Sequence, residues 1–183
     1  GLKECLDNDI ILIFDVDEFP DIDKLKLFNG NLTVFKQVMF YFKLNLRVRN
    51  FDHDSGDGLW PGTRMLNFRL FKKINNVQKI RNFKAKIYGW WRFDKPRLNI
   101  INYGGWHFRF FGSSKNLKHE LENRSIGRGE NILSSYSESD INNIIKNRLP
   151  FTTEEERYEV YPLSKMPDFV KLNKEKYINS LIV

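Results

Sequence analysis

Apolar and polar positions follow three rhythms along this chain, and each predicts a different element. Ile10 to Phe14 is an unbroken run of β-branched and aromatic residues ended by charge, which predicts a fully buried strand. In TVFKQVMFYFKLNLRV, residues 33–48, Val38, Phe40, Phe42, Leu44 and Leu46 alternate with Gln37, Met39, Tyr41, Lys43 and Asn45. That period of two predicts one long strand. Between them, Pro20 opens a short helix with Ile22, Leu25 and Phe28 on one face, and Asn29-Gly30-Asn31 makes a turn. Residues 50–62 form a polar, glycine-bearing loop. Residues 63–74 read as a strand, NNVQKIRNF as ambiguous, and AKIYGWWRF and NIINYGGWHFRFF as two aromatic strands parted by a turn at Lys95-Pro96. From Ser113 the rhythm turns helical. KNLKHELENR follows a cap at Ser113 or Ser114, and SESDINNIIKNRL is capped by Ser137 or Ser139 and stopped by Pro150. DFVKLNKEKYINSLIV predicts a terminal helix, reached by an extended connection through Pro150, Pro162 and Pro167. No repeat and no boundary is visible, so residues 1–183 read as a single domain.

Composition narrows the picture only slightly. With 183 residues, 41% of them hydrophobic and 29% charged, the chain can bury a core. Gly1 in place of Met, with a strand starting soon after Asn8, reads as a fragment or a processed product. No apolar run is long enough for a membrane span, and no signal peptide is visible. The single cysteine, Cys5, excludes an internal disulfide and points toward a cytoplasmic setting. It also leaves any metal to oxygen or imidazole ligands. Asn31 and Asn123 begin Asn-x-Ser/Thr triplets that a secretory lumen would glycosylate. The net charge of +7 goes with heavy use of Asn, Ile and Lys, and with lysines read as scattered. It permits an anionic substrate but makes no nucleic-acid-binding pattern.

The candidate chemistry is at the end of the first apolar run, in IILIFDVDEFP. Extended backbone puts Asp15 and Asp17 on one side, and open α/β sheets bind ligands beyond the carboxyl ends of strands. Two carboxylates there can hold Mn²⁺ or Mg²⁺ against a diphosphate, with the ion acting as Lewis acid; a solvated acidic turn is the plain alternative. Haloacid-dehalogenase-like phosphatases also end a strand in Asp-x-Asp, but they need Thr where this chain has Phe19, followed by Pro20. A non-catalytic remnant or binding module is the third reading.

Three stretches in order carry a more specific resemblance, from about residue 7 to 131. DNDIILIFDVDEFP resembles the Asp-Val-Asp-Glu-Ile-Pro signature of glycosyltransferase family 17, which includes the β-1,4-mannosyl-glycoprotein N-acetylglucosaminyltransferases. FYFKLNL resembles that family's downstream aromatic strand, and GGWHFRFFGSSKNLKHEL its Gly-Trp-His segment with the helix behind it. Two departures stand out. SIGRGEN keeps Glu130 but has Arg128 in place of a histidine, and the family's upstream strands are not in this chain.

The resemblance implies an α/β fold of GT-A type, a Rossmann-like mixed sheet with flanking helices that lacks its N-terminal strands. The chain would be the C-terminal portion of that domain, inactive alone if the floor for the nucleotide base is missing. The implied reaction is inverting transfer of N-acetylglucosamine from a UDP-sugar to a hydroxyl of a glycan or glycoprotein acceptor. Animal members act in the Golgi lumen, the alternative to the cytoplasm. The metal falls to Asp17, with Asp15 on the ribose or the ion; His107 either completes the metal shell, contacts the diphosphate, or is a core histidine. Arg64, Arg109 and Arg128 can grip phosphate or sit on the surface. The base stays open among Glu18, Asp54, Asp57 and Glu130, with Asp57 in a glycine-flanked lid that continues to Trp60. Trp60, Trp106 and one of Trp90 and Trp91 can stack on sugar rings, although Trp106 is expected to point inward. His53 and His119 read as surface residues.

Overall fold

The computed structural model describes residues 2–49, 58–87, 89, 91–94, 97–128 and 135–182, the side chains of 123–128 excepted. It is a mixed α/β fold whose chain divides into two compact units, Gly1–Val38 with Leu59–His107, and Met39–Gly58 with Phe108–Val183. The divisions fall within or at the edge of strands rather than in linkers, so no shift of composition marks them.

The first unit is organised around β3 (Leu32–Tyr41), every residue of which is buried. β5 (Leu59–Asn67) pairs with it antiparallel, and β6 (Leu98–Ile101) pairs parallel, Leu32 opposite Leu98 and Phe35 opposite Ile101. Strand β1 (Ile10–Ile13) lies antiparallel on β5, Ile10 opposite Asn67 and Ile13 opposite Arg64. The prediction of a fully buried β1 is corrected: Ile10 is 48% exposed, because the described strands flank β1 on one side only. Ile11 and Ile13 pack on one face with Leu70, Phe71, Ile74 and Ile80, while Leu12 packs on the other with Leu25, Phe28 and Phe35. β2 (Glu18–Pro20) pairs antiparallel with β7 (Gly105–Arg109), so Pro20 is in a strand; the predicted helix after it is a 3₁₀ segment, Ile22–Leu27.

The strand predicted over 63–74 ends at Asn67. The Asn67 side chain accepts the Leu70 N–H and starts α1 (Phe68–Ile74), closed by Asn75 at φ 47°. Asn76 then caps α2 (Val77–Arg81) in the same way. Asparagine competes with the backbone for hydrogen bonds, so strand periodicity across it was misleading. AKIYGWWRF forms no strand among its described residues.

In the second unit, the predicted long strand is broken at Phe42, which takes φ 64°. The chain returns as β4 (Leu46–Arg49), with Arg47 opposite Phe40, and β8 (Arg157–Val160) pairs antiparallel with β4. β8 lies in the connection expected to be merely extended. The buried Asn45 explains the break: its amide donates to the Ile182 carbonyl at 2.9 Å and accepts the Ile182 N–H at 2.7 Å. These bonds and Leu44 N–H to Ser180 O, 2.8 Å, fasten Ser180 and Ile182 to the second unit, with Leu181 between them extended. The predicted terminal helix therefore shrinks to α5 (Asp168–Leu172) and a 3₁₀ turn, Ile178–Ser180.

Helices α3 (Ser114–Arg128) and α4 (Glu138–Asn147) appear as expected, α4 with a complete capping box between Ser137 and Asp140. Phe110 and Phe151 meet edge to face at 5.1 Å in an aromatic cluster with Phe42. Beside it the buried Glu156 accepts the backbone N–H groups of Phe151 and Thr152 and the Tyr158 hydroxyl. Burial, with the Glu156 charge adding to it, pushes the Tyr158 phenol far up.

Candidate functional site

The acidic tip of β1 meets α2 and β7 in the first unit. Asp15 to Glu18 is a turn closed by the Glu18 N–H on the Asp15 carbonyl at 3.0 Å. Leaving it, β2 pairs Glu18 with His107 and Phe19 with Trp106. Glycine permits that pairing: a Cβ on Gly105, at φ +148°, would press into the Phe19 carbonyl and lie 2.9 Å from the Pro20 Cα.

The three carboxylates separate by partner. Asp15, 58% exposed at its side chain, pairs with Arg81 at 2.5 Å. Asp17 lies 3.2 Å from His107 Nε2, its carboxylate partly open to solvent. Glu18 is completely buried and accepts from the Trp60 indole N–H at 3.0 Å and from Arg81 at 3.2 Å. A carboxylate so enclosed is a hub that holds Arg81 and Trp60, and a proton-accepting role for it needs an approach that its burial does not provide.

Arg64 is also buried, against the expectation of a phosphate grip or a surface position. Its guanidinium donates to the carbonyls of Pro61 and Gly62, and to Arg81 O at 2.9 Å. It thereby ties the end of α2 to β5, which positions Arg81. Burial pushes the Arg64 guanidinium down to about 10, against the upward pull of Glu18. Gly62 leaves the space that these groups use: a Cβ there would run into the Gln37 amide and stand 3.0 Å from the Glu18 carboxyl carbon. Gln37 Oε1, Arg64 Nε, Arg81 NH1 and His107 Nδ1 are buried with no hydrogen-bond partner among the described residues, so the cluster keeps unmet polar capacity there.

The fit to a divalent cation can be tested on these distances. Ligands at about 2.1 Å on adjacent corners of an octahedron stand about 3.0 Å apart. Asp17 Oδ2 and His107 Nε2, at 3.2 Å, nearly meet that spacing. Asp15 is held by Arg81, and among the described residues no group of three or more His, Cys, Asp or Glu is arranged around a metal position. Two groups at a distance that also suits a plain imidazole–carboxylate contact do not make a resident metal cage, and an ion here would need its remaining ligands from substrate and water.

The other expected residues divide. The Trp60 ring meets His107 edge-on at 5.1 Å; Trp60 belongs to β5, so the lid expected over 50–62 does not include Leu59–Gly62. Trp106 is half-buried on β7, and Trp91 is 65% exposed. Arg109 belongs to the second unit, with its guanidinium 4.6 Å from the Phe110 ring centre. His119 is exposed on α3. Asp52, His53, Asp54, Asp57, Trp90, Glu130 and the turn at Lys95-Pro96 lie outside the described residues, as do the side chains of Asn123 and Arg128. Arg81, Gln37 and Gly62 were missed. Only the stretch's ambiguity pointed toward Arg81, because its partners lie far off in sequence. No protein-family model, curated protein or solved structure matches the chain.

Proposed function

We propose that this chain is the catalytic portion of an inverting, metal-dependent glycosyltransferase of GT-A type. It would move a sugar, with N-acetylglucosamine the expected one, from a UDP-sugar to a hydroxyl of a glycan acceptor. One observation carries the reading. The two stretches richest in the family's signature residues meet through β2 and β7, with Asp17 Oδ2 3.2 Å from His107 Nε2.

Asp17 and His107 would hold Mn²⁺ or Mg²⁺. Once bound with substrate, that ion supplies Lewis-acid stabilisation of the departing diphosphate. Arg81, which now neutralises Asp15, is the cation nearest the tip and can turn to anionic oxygens when a ligand competes for it. Glu18 fixes the Trp60 indole by its N–H and leaves the half-buried ring to stack on a sugar. With Glu18 enclosed, the base remains a choice among Asp54, Asp57 and Glu130, which lie outside the described residues.

Thermal unfolding of the full-length gene product with UDP and Mn²⁺ tests this. Ligand at a hundred times its Kd stabilises by about 2.7 kcal/mol. The shift should vanish in Asp17→Asn and fall sharply in His107→Ala. A shift unchanged in both variants, or no nucleotide response at all, refutes the proposal.

A further inference from the structure

Positive charge runs through the middle of the chain, with six basic residues and no acid over 64–81 and a further cluster directly after them. Residues 82–97, NFKAKIYGWWRFDKPR, hold Lys84, Lys86, Arg92, Lys95 and Arg97 against the single acid Asp94. A formal +4 of the chain's +7 therefore sits in one short stretch. In the same stretch Ile87, Trp91 and Phe93 stand 74%, 65% and 82% exposed.

Its described residues make a turn. The Arg92 N–H closes on the Gly89 carbonyl at 3.0 Å. The Arg92 guanidinium forks onto both Asp94 oxygens at 2.7 Å. The Trp91 ring lies over Gly89, in space that a Cβ on Gly89 would fill. Arg92 thus spends its charge inside the turn, while Trp91 and Phe93 keep most of their surface exposed. An arrangement fixed in advance loses little entropy on binding.

We propose that this turn docks on an anionic lipid bilayer, with Ile87, Trp91 and Phe93 entering the headgroup region and Lys84, Lys86 and Arg97 facing lipid phosphates. Charge complementarity calls for an anionic partner. The apolar residues choose among anionic partners. Tryptophan favours membrane–water interfaces, and exposed Ile87 and Phe93 gain from an apolar medium that a phosphate backbone does not offer. A basic cluster joined to interfacial apolar side chains supplies the two signals that stable peripheral binding requires. No described helix is long and apolar enough to cross the membrane, so the contact lies on the surface. This inference is independent of the sugar-transfer reading.

Co-sedimentation of the full chain with vesicles of phosphatidylcholine alone, and of phosphatidylcholine and phosphatidylserine in equal parts, tests it. The chain should partition onto the anionic vesicles and leave them as salt rises. Each basic residue near the surface contributes roughly fivefold, so Lys84→Gln with Lys86→Gln should lower the partition coefficient roughly thirtyfold. Trp91→Ser with Phe93→Ser should lower it at least about tenfold. Unchanged melting temperatures would show that the variants fold, and the lysine pair decides the matter alone if the aromatic pair does not. Equal partition of wild type and variants, or no partition onto anionic vesicles, overturns the proposal. So does tighter binding to a single-stranded oligothymidylate that Trp91→Ser weakens, which would assign the turn to nucleic acid.

Discussion

Removing the Glu18 carboxylate should destabilise the first unit more than any surface ion pair could. Glu18 lies 3.2 Å from the Arg81 guanidinium and accepts the Trp60 N–H at 3.0 Å, with no exposure of its side chain. At an effective dielectric of 20 the Arg81 pair alone has a Coulomb energy of about 5 kcal/mol, much of it offset by desolvation. Glu18→Ala loses that pair, leaves Arg81 with the exposed Asp15 alone and removes the carboxylate beside the buried Arg64, at a cost of about 3–5 kcal/mol. Glu18→Gln keeps an acceptor for Trp60 and should cost about 2 kcal/mol. Urea unfolding followed by tryptophan emission reads the right unit, since no tryptophan lies in the residue ranges of the second. The midpoint should fall with little change in slope. Replacing Glu18 and Arg81 together by leucine should cost less than Glu18→Ala, because no unpaired charge at Arg81 is left behind. A loss below about 1 kcal/mol for Glu18→Ala, the range of exposed pairs, would refute the hub.

Three further outcomes are expected. Gly62→Ala should cost about 1–3 kcal/mol by driving a methyl into the Gln37 amide and the Glu18 carboxylate, again read by tryptophan emission. Asn45→Ala removes both bonds to Ile182 and should cost about 2–3 kcal/mol, with faster amide exchange at Ile182 as its local sign. The acid limb of α4 depends on Asp140, whose carboxyl is held below its usual 3.8 by the Ser137 hydroxyl and N–H. A group depressed in the fold contributes fully above its unfolded value and loses that contribution as pH falls through its folded one. Helical circular dichroism should therefore fade below about pH 4, and Ser137→Ala should remove that step.

What the sequence disclosed was local. A cap at Ser137 or Ser139, settled by the structure as Ser137, the acids closing β1, and the strand bearing His107 all follow from neighbours within a few positions. What it concealed depended on distant partners. An apolar run such as Ile10–Ile13 has the same pattern in a central or an edge strand, and only the strands beside it decide its burial. Alternation in 33–48 predicts a strand but not which faces are covered; β3 is covered on both, with Thr33, Lys36 and Gln37 buried beside Val34 and Phe35. β1 is antiparallel to β5, so the carboxyl-end rule for open parallel sheets does not account for the site. The Asp15–Glu18 turn and the β2–β7 register do.

The Gly-Gly-Trp-His stretch mixes two kinds of constraint. A Cβ on Gly104 would stand 2.8 Å from the Phe35 ring, and one on Gly105 would press into the β2 backbone, so both letters are dictated by steric closeness whatever the protein does. Under the proposed function, Asp17 and His107 answer to reactivity instead. Relatives sought by the glycines would share a clasp, and relatives sought by the acid and the imidazole would share a chemistry. A chain that keeps the first pair and has lost the second would be a spent copy of this one, intact in shape and silent in function.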